Sequence, residues 1–135
     1  MKYIPLIGRF LFSIIFMYSS IAKFSDTFVY EAAAKGIPLS YILIPLVGIF
    51  EMAAGLSILF GFMAKWGAWL IIIFLLPVTF IMHDFWTVED PMLHELVLLT
   101  FMKNISIIGA ALMLAYFGAG PYSVDSMRDE SKKGA

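Results

Sequence analysis

There is no cysteine among the 135 residues of this chain. Disulfides, thiolate metal ligands and a Cys-x-x-Cys redox relay are therefore excluded, so any redox role needs an electron carrier from outside the polypeptide. Charge is also scarce. Only 14% of residues are charged, against about 25% in soluble domains. The net charge of -1 gives no basic excess for nucleic acid and no acidic tail. Nucleophile elbow, phosphate loop and dinucleotide fingerprint are all missing. "GAGP" at 118–121 follows the last apolar run and reads as a helix stop. His83 and His94 lie near the acids Asp84, Glu89, Asp90 and Glu95, but without HExxH or HxH spacing, so no metal site is expected.

What fills the chain instead is hydrophobic: 61% of residues, with a mean hydropathy of +0.91. Four runs are long enough to cross a bilayer, at 3–22, 41–60, 66–82 and 93–117. None alternates as a barrel strand does, and a lone strand in lipid would leave its backbone unpaired. The expected fold is an all-α, integral membrane four-helix bundle formed by one domain over residues 1–126. Lys2 ahead of the first run and the small-x-small Ser20-Ile21-Ala22 have the look of a secretory signal. Arg9 inside the run, and three further runs, argue instead for a first span.

The connections differ in kind. Residues 23–40 contain Ser25 and Asp26 as helix starters, three alanines, then Gly36 and Pro38 as a stop, which predicts a short interfacial helix between spans one and two. Residues 61–65 allow only a tight turn. Lys2, Lys65, Arg128, Lys132 and Lys133 share one side of the membrane against Lys23 and Lys35 on the other, so both termini are expected in the cytoplasm. Residues 127–135 read as a polar, disordered cytoplasmic tail.

Polar residues at membrane depth are the candidate functional groups. Arg9 lies about 9 Å inside span one and Glu51 about 15 Å inside span two, with Lys103 and Asn104 near the middle of span four. Arg9, Ser13, Phe16, Ser20 and Lys23 follow four-three-four-three spacing, which makes one packing face. Glu51 is too short to reach water and has Gly48, Ala54 and Gly55 as helical neighbours, so it faces another helix. It either pairs with Arg9 or Lys103 to fix helix register, or forms a ligand or proton site. Arg9 and Lys103 against Glu51 leave one positive charge over, which an anionic or carbonyl-bearing ligand would meet, with Asn104 orienting it and His83 serving as a proton acceptor or hydrogen-bond donor. The expected ligand-binding set is Arg9, Glu51, His83, Lys103 and Asn104.

"GR" within span one, "AKF" at its exit, "GIP" before span two and "FEMAAGLSILFGF" within it are followed by "HDFW", "KNISIIGAALML" and "GAGPYSVDSM". In this order and spacing, over residues 4–126, the chain resembles the DoxX family of small four-span bacterial membrane proteins. The resemblance implies a multi-pass protein of the cytoplasmic (inner) membrane, with the family's charged span positions falling on Arg9, Lys23, Glu51, His83 and Lys103. Relatives include a subunit of an archaeal thiosulfate:quinone oxidoreductase and members tied to superoxide and thiol defence. The expectation is thus a redox-associated subunit with a quinone as its cofactor and a membrane oxidoreductase as its partner. A lipid or small-molecule binding or transport protein, or a structural partner of another membrane protein, stays open beside it. The outline is similar to vitamin K epoxide reductase too, but that enzyme works through cysteines.

Overall fold

The structure, a computed structural model, describes residues 1–134. It consists of helices α1 (Ile4–Ala22), α2 (Asp26–Ala34), α3 (Ser40–Phe60), α4 (Ala64–Met82), α5 (Pro91–Phe117) and α6 (Val124–Lys133), with a 3-10 turn at Phe85–Thr87. Four of them, α1, α3, α4 and α5, are long and apolar enough to cross a membrane. They are the four spans expected, and α2 is the short helix expected between the first two.

Local chemistry sets the helix ends. Pro5 and Pro91 stand in the first turns of α1 and α5, where a missing N–H costs nothing. Asp90 caps α5 by accepting from the Leu93 N–H at 2.8 Å, which starts that helix two residues before Leu93. Gly61, with φ 64°, and Gly118, with φ 81°, stop α3 and α5.

Residues 127–133 correct the expectation of a disordered tail over 127–135: they continue a helix that begins at Val124, while Ala135 lies outside the described residues. Ser123 Oγ accepts from the Ser126 N–H at 3.1 Å, and Ser126 Oγ accepts from the Ser123 N–H at 3.2 Å. Asp125 in the first turn and Lys132 and Lys133 in the last complement the helix dipole. Polarity alone suggested disorder, yet the caps were present in the sequence.

Each spanning helix packs on the next, α1 on α3, α3 on α4 and α4 on α5, while α2 lies against α3. The α1–α5 seam has no interface of comparable extent. A core of Phe16, Ile58, Ile71, Ile72, Leu75 and Ile108 runs down the middle. Ile7, Leu11, Ile14, Ile73 and Leu112 point outward, as expected where lipid is the solvent.

Small residues fix the α1–α3 register. A methyl group on Gly48 would lie 3.1 Å from the Ser20 carbonyl oxygen and 3.2 Å from Lys23 Cβ. Thirteen residues further on, a methyl on Gly61 would lie 3.2 Å from Arg9 Nη1 and collide with Ser123 Cβ. Lys23 is thus level with Gly48, and Arg9 with the last residue of the α3 cap.

Candidate functional site

At the end of the bundle remote from the termini, the four spans and α2 enclose a cavity of about 490 Å³. Its polar lining comes from Ser19 of α1 and Lys23 at its C-cap, Glu51 of α3, His83 at the end of α4, and Thr100, Lys103 and Asn104 of α5. Ile44, Val47, Phe74, Val78 and Ile81 supply an apolar wall, and Phe28 and Glu31 of α2 close the side nearest the membrane surface.

Glu51 is 3% exposed and Lys23 Nζ lies 2.6 Å from its Oε2. The lysine approaches too obliquely for a regular hydrogen bond to that oxygen. Its ammonium donates instead to Ser19 Oγ at 2.8 Å, one turn back on α1, and sits 6.0 Å from the centre of the Phe28 ring. Removing two charges from water is costly, and close pairing offsets much of it. Lys103 has no ion-pair partner among the described residues. Asn104 beside it is buried and lines the same space.

Lys103 is central in α5 by count, but not central in the bundle. Phe101 packs edge-on against Phe80, Phe85 and Trp86. The start of α5 therefore overshoots α4, and Lys103 falls within about a turn of the far end of that helix. This overhang brings Lys103 toward His83 and Lys23, at one end of the membrane.

The rim is held by an ion pair between Lys35, which caps α2, and Asp84 in the loop after α4. Asp84 also accepts from Thr87 Oγ1 at 2.9 Å. His94 stacks edge-on against Phe85, and its Nδ1 lies 3.3 Å from the Val88 carbonyl oxygen. With Asp90 capping α5, these loop residues serve the loop's own structure.

Arg9 departs from expectation. It is buried on the same face of α1 as Ser13, Phe16 and Ser20, as the spacing predicted, yet it meets neither Glu51 nor the cavity. Its Nη1 donates to the Ala119 carbonyl and its Nη2 to the Tyr122 carbonyl at 2.6 Å. The expected Arg9–Glu51 and Lys103–Glu51 pairs are both replaced by Lys23–Glu51. Counting residues inward from each helix start assumes that all spans begin at one plane. With Arg9 level with Gly61, ten residues beyond Glu51, the separation along the bundle is about 15 Å.

Around Arg9 the chain is tied down from several directions. Asp125 accepts from the Met63 and Ala64 N–H groups at 2.9 and 3.0 Å, capping α4, and its own N–H donates to the Gly61 carbonyl at 2.9 Å. Tyr122, in a left-handed conformation with φ 55°, stacks on Tyr3 with ring centres 4.9 Å apart. Residues 118–125 are thus a strap across the terminal end of the bundle, and Arg9 is its fastening.

Of the five residues singled out, Glu51, His83, Lys103 and Asn104 line one cavity and Arg9 lies elsewhere. Lys23, Ser19, Glu31 and Thr100 are the polar lining residues that the sequence pattern did not place there. For Lys23 the signal was present, since it ends the buried stripe of α1, but its position at the span's exit made it count as an interfacial charge.

The DoxX family model matches residues 4–84. Inner membrane protein YqjF of Escherichia coli (strain K12) is 34% identical over 125 residues, covering 90% of this chain and 89% of the relative. Inner membrane protein YphA of the same organism is 31% identical over 115 residues, covering 85% and 81%. The Surfeit locus protein 4 homolog of Schizosaccharomyces pombe (strain 972 / ATCC 24843) is 31% identical over 128 residues, covering 93% of this chain and 38% of the relative. No solved structure matches.

Proposed function

Because the chain belongs to the DoxX family and is a multi-pass inner membrane protein, we propose that its cavity is a binding site for an amphipathic ligand with a hydrogen-bonding head. The observation that carries this reading is the Lys23–Glu51 pair set in the wall of an open 490 Å³ volume, with Lys103 and Asn104 lining the same volume. Ion pairs that serve only helix register are ordinarily packed around; this one borders space large enough for a small ring. The apolar wall suits a ring or chain, and the ammonium groups and the amide suit carbonyl oxygens.

Among such ligands the class favoured is a quinone, which makes the protein a redox-associated membrane subunit. A quinone accepts hydrogen bonds at two carbonyls and takes up protons on reduction. Lys23, Lys103 and Asn104 supply donors, Glu51 a proton relay, and His83 an imidazole at the mouth that can donate or accept a hydrogen bond. The chain brings no electron carrier of its own, so the electrons come from a partner oxidoreductase. The positive side of the bundle, holding Lys65, Arg128, Lys132 and Lys133 with both termini, is assigned to the cytoplasm, which opens the cavity toward the opposite face. A lipid or other small molecule bound without electron transfer is the second reading, favoured by the extent of the apolar wall that Ile44, Val47, Phe74, Val78 and Ile81 form.

Purification in mild detergent, followed by mass spectrometry of co-purifying small molecules, tests both. A quinone retained by the native protein and lost in Glu51→Gln, with insertion unchanged, is the expected result. A bound lipid with no quinone supports the second reading. Unchanged ligand content in Glu51→Gln removes Glu51 from the site.

A further inference from the structure

Two grooves meet at the terminal end of the bundle, away from the cavity. One, of about 540 Å³, lies between the start of α4 and α6, with Lys65, Arg128 and Lys132 on its walls and Trp66 at its edge. The other, of about 310 Å³, runs along the open α1–α5 seam, where Phe12, Ala110, Met113 and Leu114 line it. They share Phe117, Gly118 and Ala119, so a basic pocket continues directly into an apolar channel.

From this juxtaposition we infer that the terminal end holds one bilayer phospholipid with an anionic headgroup, its phosphate between Lys65, Arg128 and Lys132 and an acyl chain along the α1–α5 seam. None of the three cations has an ion-pair partner among the described residues. Of the acids lining the pocket, Asp125 is held in the α4 cap and only Asp129 stands uncommitted, so two carboxylates face three cations and the lining is net positive. Arg128 lies 5.7 Å from the centre of the Phe62 ring, which holds its guanidinium near the surface. The Lys65 stem crosses the junction: a methyl on Gly118 would lie 3.1 Å from its Cε. At the same level Arg9, 3% exposed, has a buried Nε with no acceptor and borders the apolar groove. An ester carbonyl is the acceptor a lipid supplies there. From Gly118 to Ala110 the groove follows α5 for about 12 Å, enough for the upper half of one chain. Basic residues beside a seam between spanning helices are the usual recognition chemistry for such headgroups.

The test reconstitutes the protein into vesicles of equal parts phosphatidylglycerol and phosphatidylethanolamine, re-extracts it in mild detergent and quantifies retained lipid by mass spectrometry. Phosphatidylglycerol is expected to be enriched. Each near-surface cation contributes about a fivefold effect, so Lys65→Gln/Arg128→Gln/Lys132→Gln lowers the enrichment on the order of a hundredfold. Lys132→Gln alone, at the exposed end of α6, gives a roughly fivefold drop without touching the packed core. Ala110→Trp fills the seam and is expected to lower retention with all charges intact. Equal retention of both lipids, unchanged enrichment in the charge variants, full retention in Ala110→Trp, or displacement by inorganic phosphate would each overturn the assignment.

Discussion

Arg9 and Lys23 stand at opposite ends of one face of α1, both withdrawn from lipid, and the fold uses them in opposite ways. Arg9 spends its guanidinium on two main-chain carbonyls of the strap, Ala119 and Tyr122. Lys23 faces a carboxylate and a hydroxyl at the edge of an open cavity. A planar fork directed at fixed backbone oxygens holds one geometry. A flexible ammonium beside Glu51 can keep its counterion and still turn toward a third group. Arginine at the packed end fastens the bundle, and lysine at the open end leaves room for a ligand.

The contrast is broken most strongly by Arg9→Ala. It strands two carbonyls that a charged donor had satisfied, and hydrogen bonds to charged groups contribute about 1.5 to 3 kcal/mol each. A loss of about 3 kcal/mol or more is expected in unfolding from detergent micelles, with ligand content per folded molecule unchanged. Loss of ligand without loss of stability would place Arg9 in the site after all.

Glu51→Gln comes next, leaving Lys23 beside a neutral amide at a cost of about 1 to 3 kcal/mol. Its sharper companion is Lys23→Met/Glu51→Leu, because apolar replacement of a whole buried pair is often neutral or stabilising. The double variant is expected to regain most of the stability by the same unfolding assay, yet to stay empty of ligand by mass spectrometry. If it carries ligand as the native protein does, the pair is purely structural and the contrast with Arg9 collapses.

Asp125→Ala removes the α4 cap and part of the strap. About 1 to 2 kcal/mol is expected from the cap, readable in the same unfolding experiment, with no change at the cavity. Smallest in stability is Lys103→Gln, expected within about 0.5 kcal/mol because no ion-pair partner is lost. Its effect belongs in ligand retention, as a roughly tenfold fall, the scale of one charged hydrogen bond. A stability loss as large as that of Arg9→Ala would show that Lys103 too is a fastening.

The four spans, the surface helix and the buried stripe of α1 were all legible in the sequence, because run length, glycine and proline stops, and four-three spacing are local properties. Glu51 could be assigned to the interior from Gly48, Ala54 and Gly55 alone, and these residues are indeed buried in α3 apart from intervening lipid-facing positions. The α6 helix was legible in principle through Ser123, Ser126 and Asp125, but a polar segment invites a reading as coil when its caps are not weighed.

Which charge meets which was a different kind of question. Sequence spacing gives depth only relative to a helix's own start, and these helices start at different heights: α1 ends level with Gly48, well inside α3, and α5 overshoots α4 by its first turns. Those offsets arise from contacts between residues far apart in the chain, among them Gly48 with Ser20, Gly61 with Ser123, and Phe101 with Phe80. The sequence by itself determined a four-span bundle with charges turned inward. Only the tertiary structure decided that Lys23 rather than Arg9 stands beside Glu51, because partner choice depends on helix offsets that no single helix encodes.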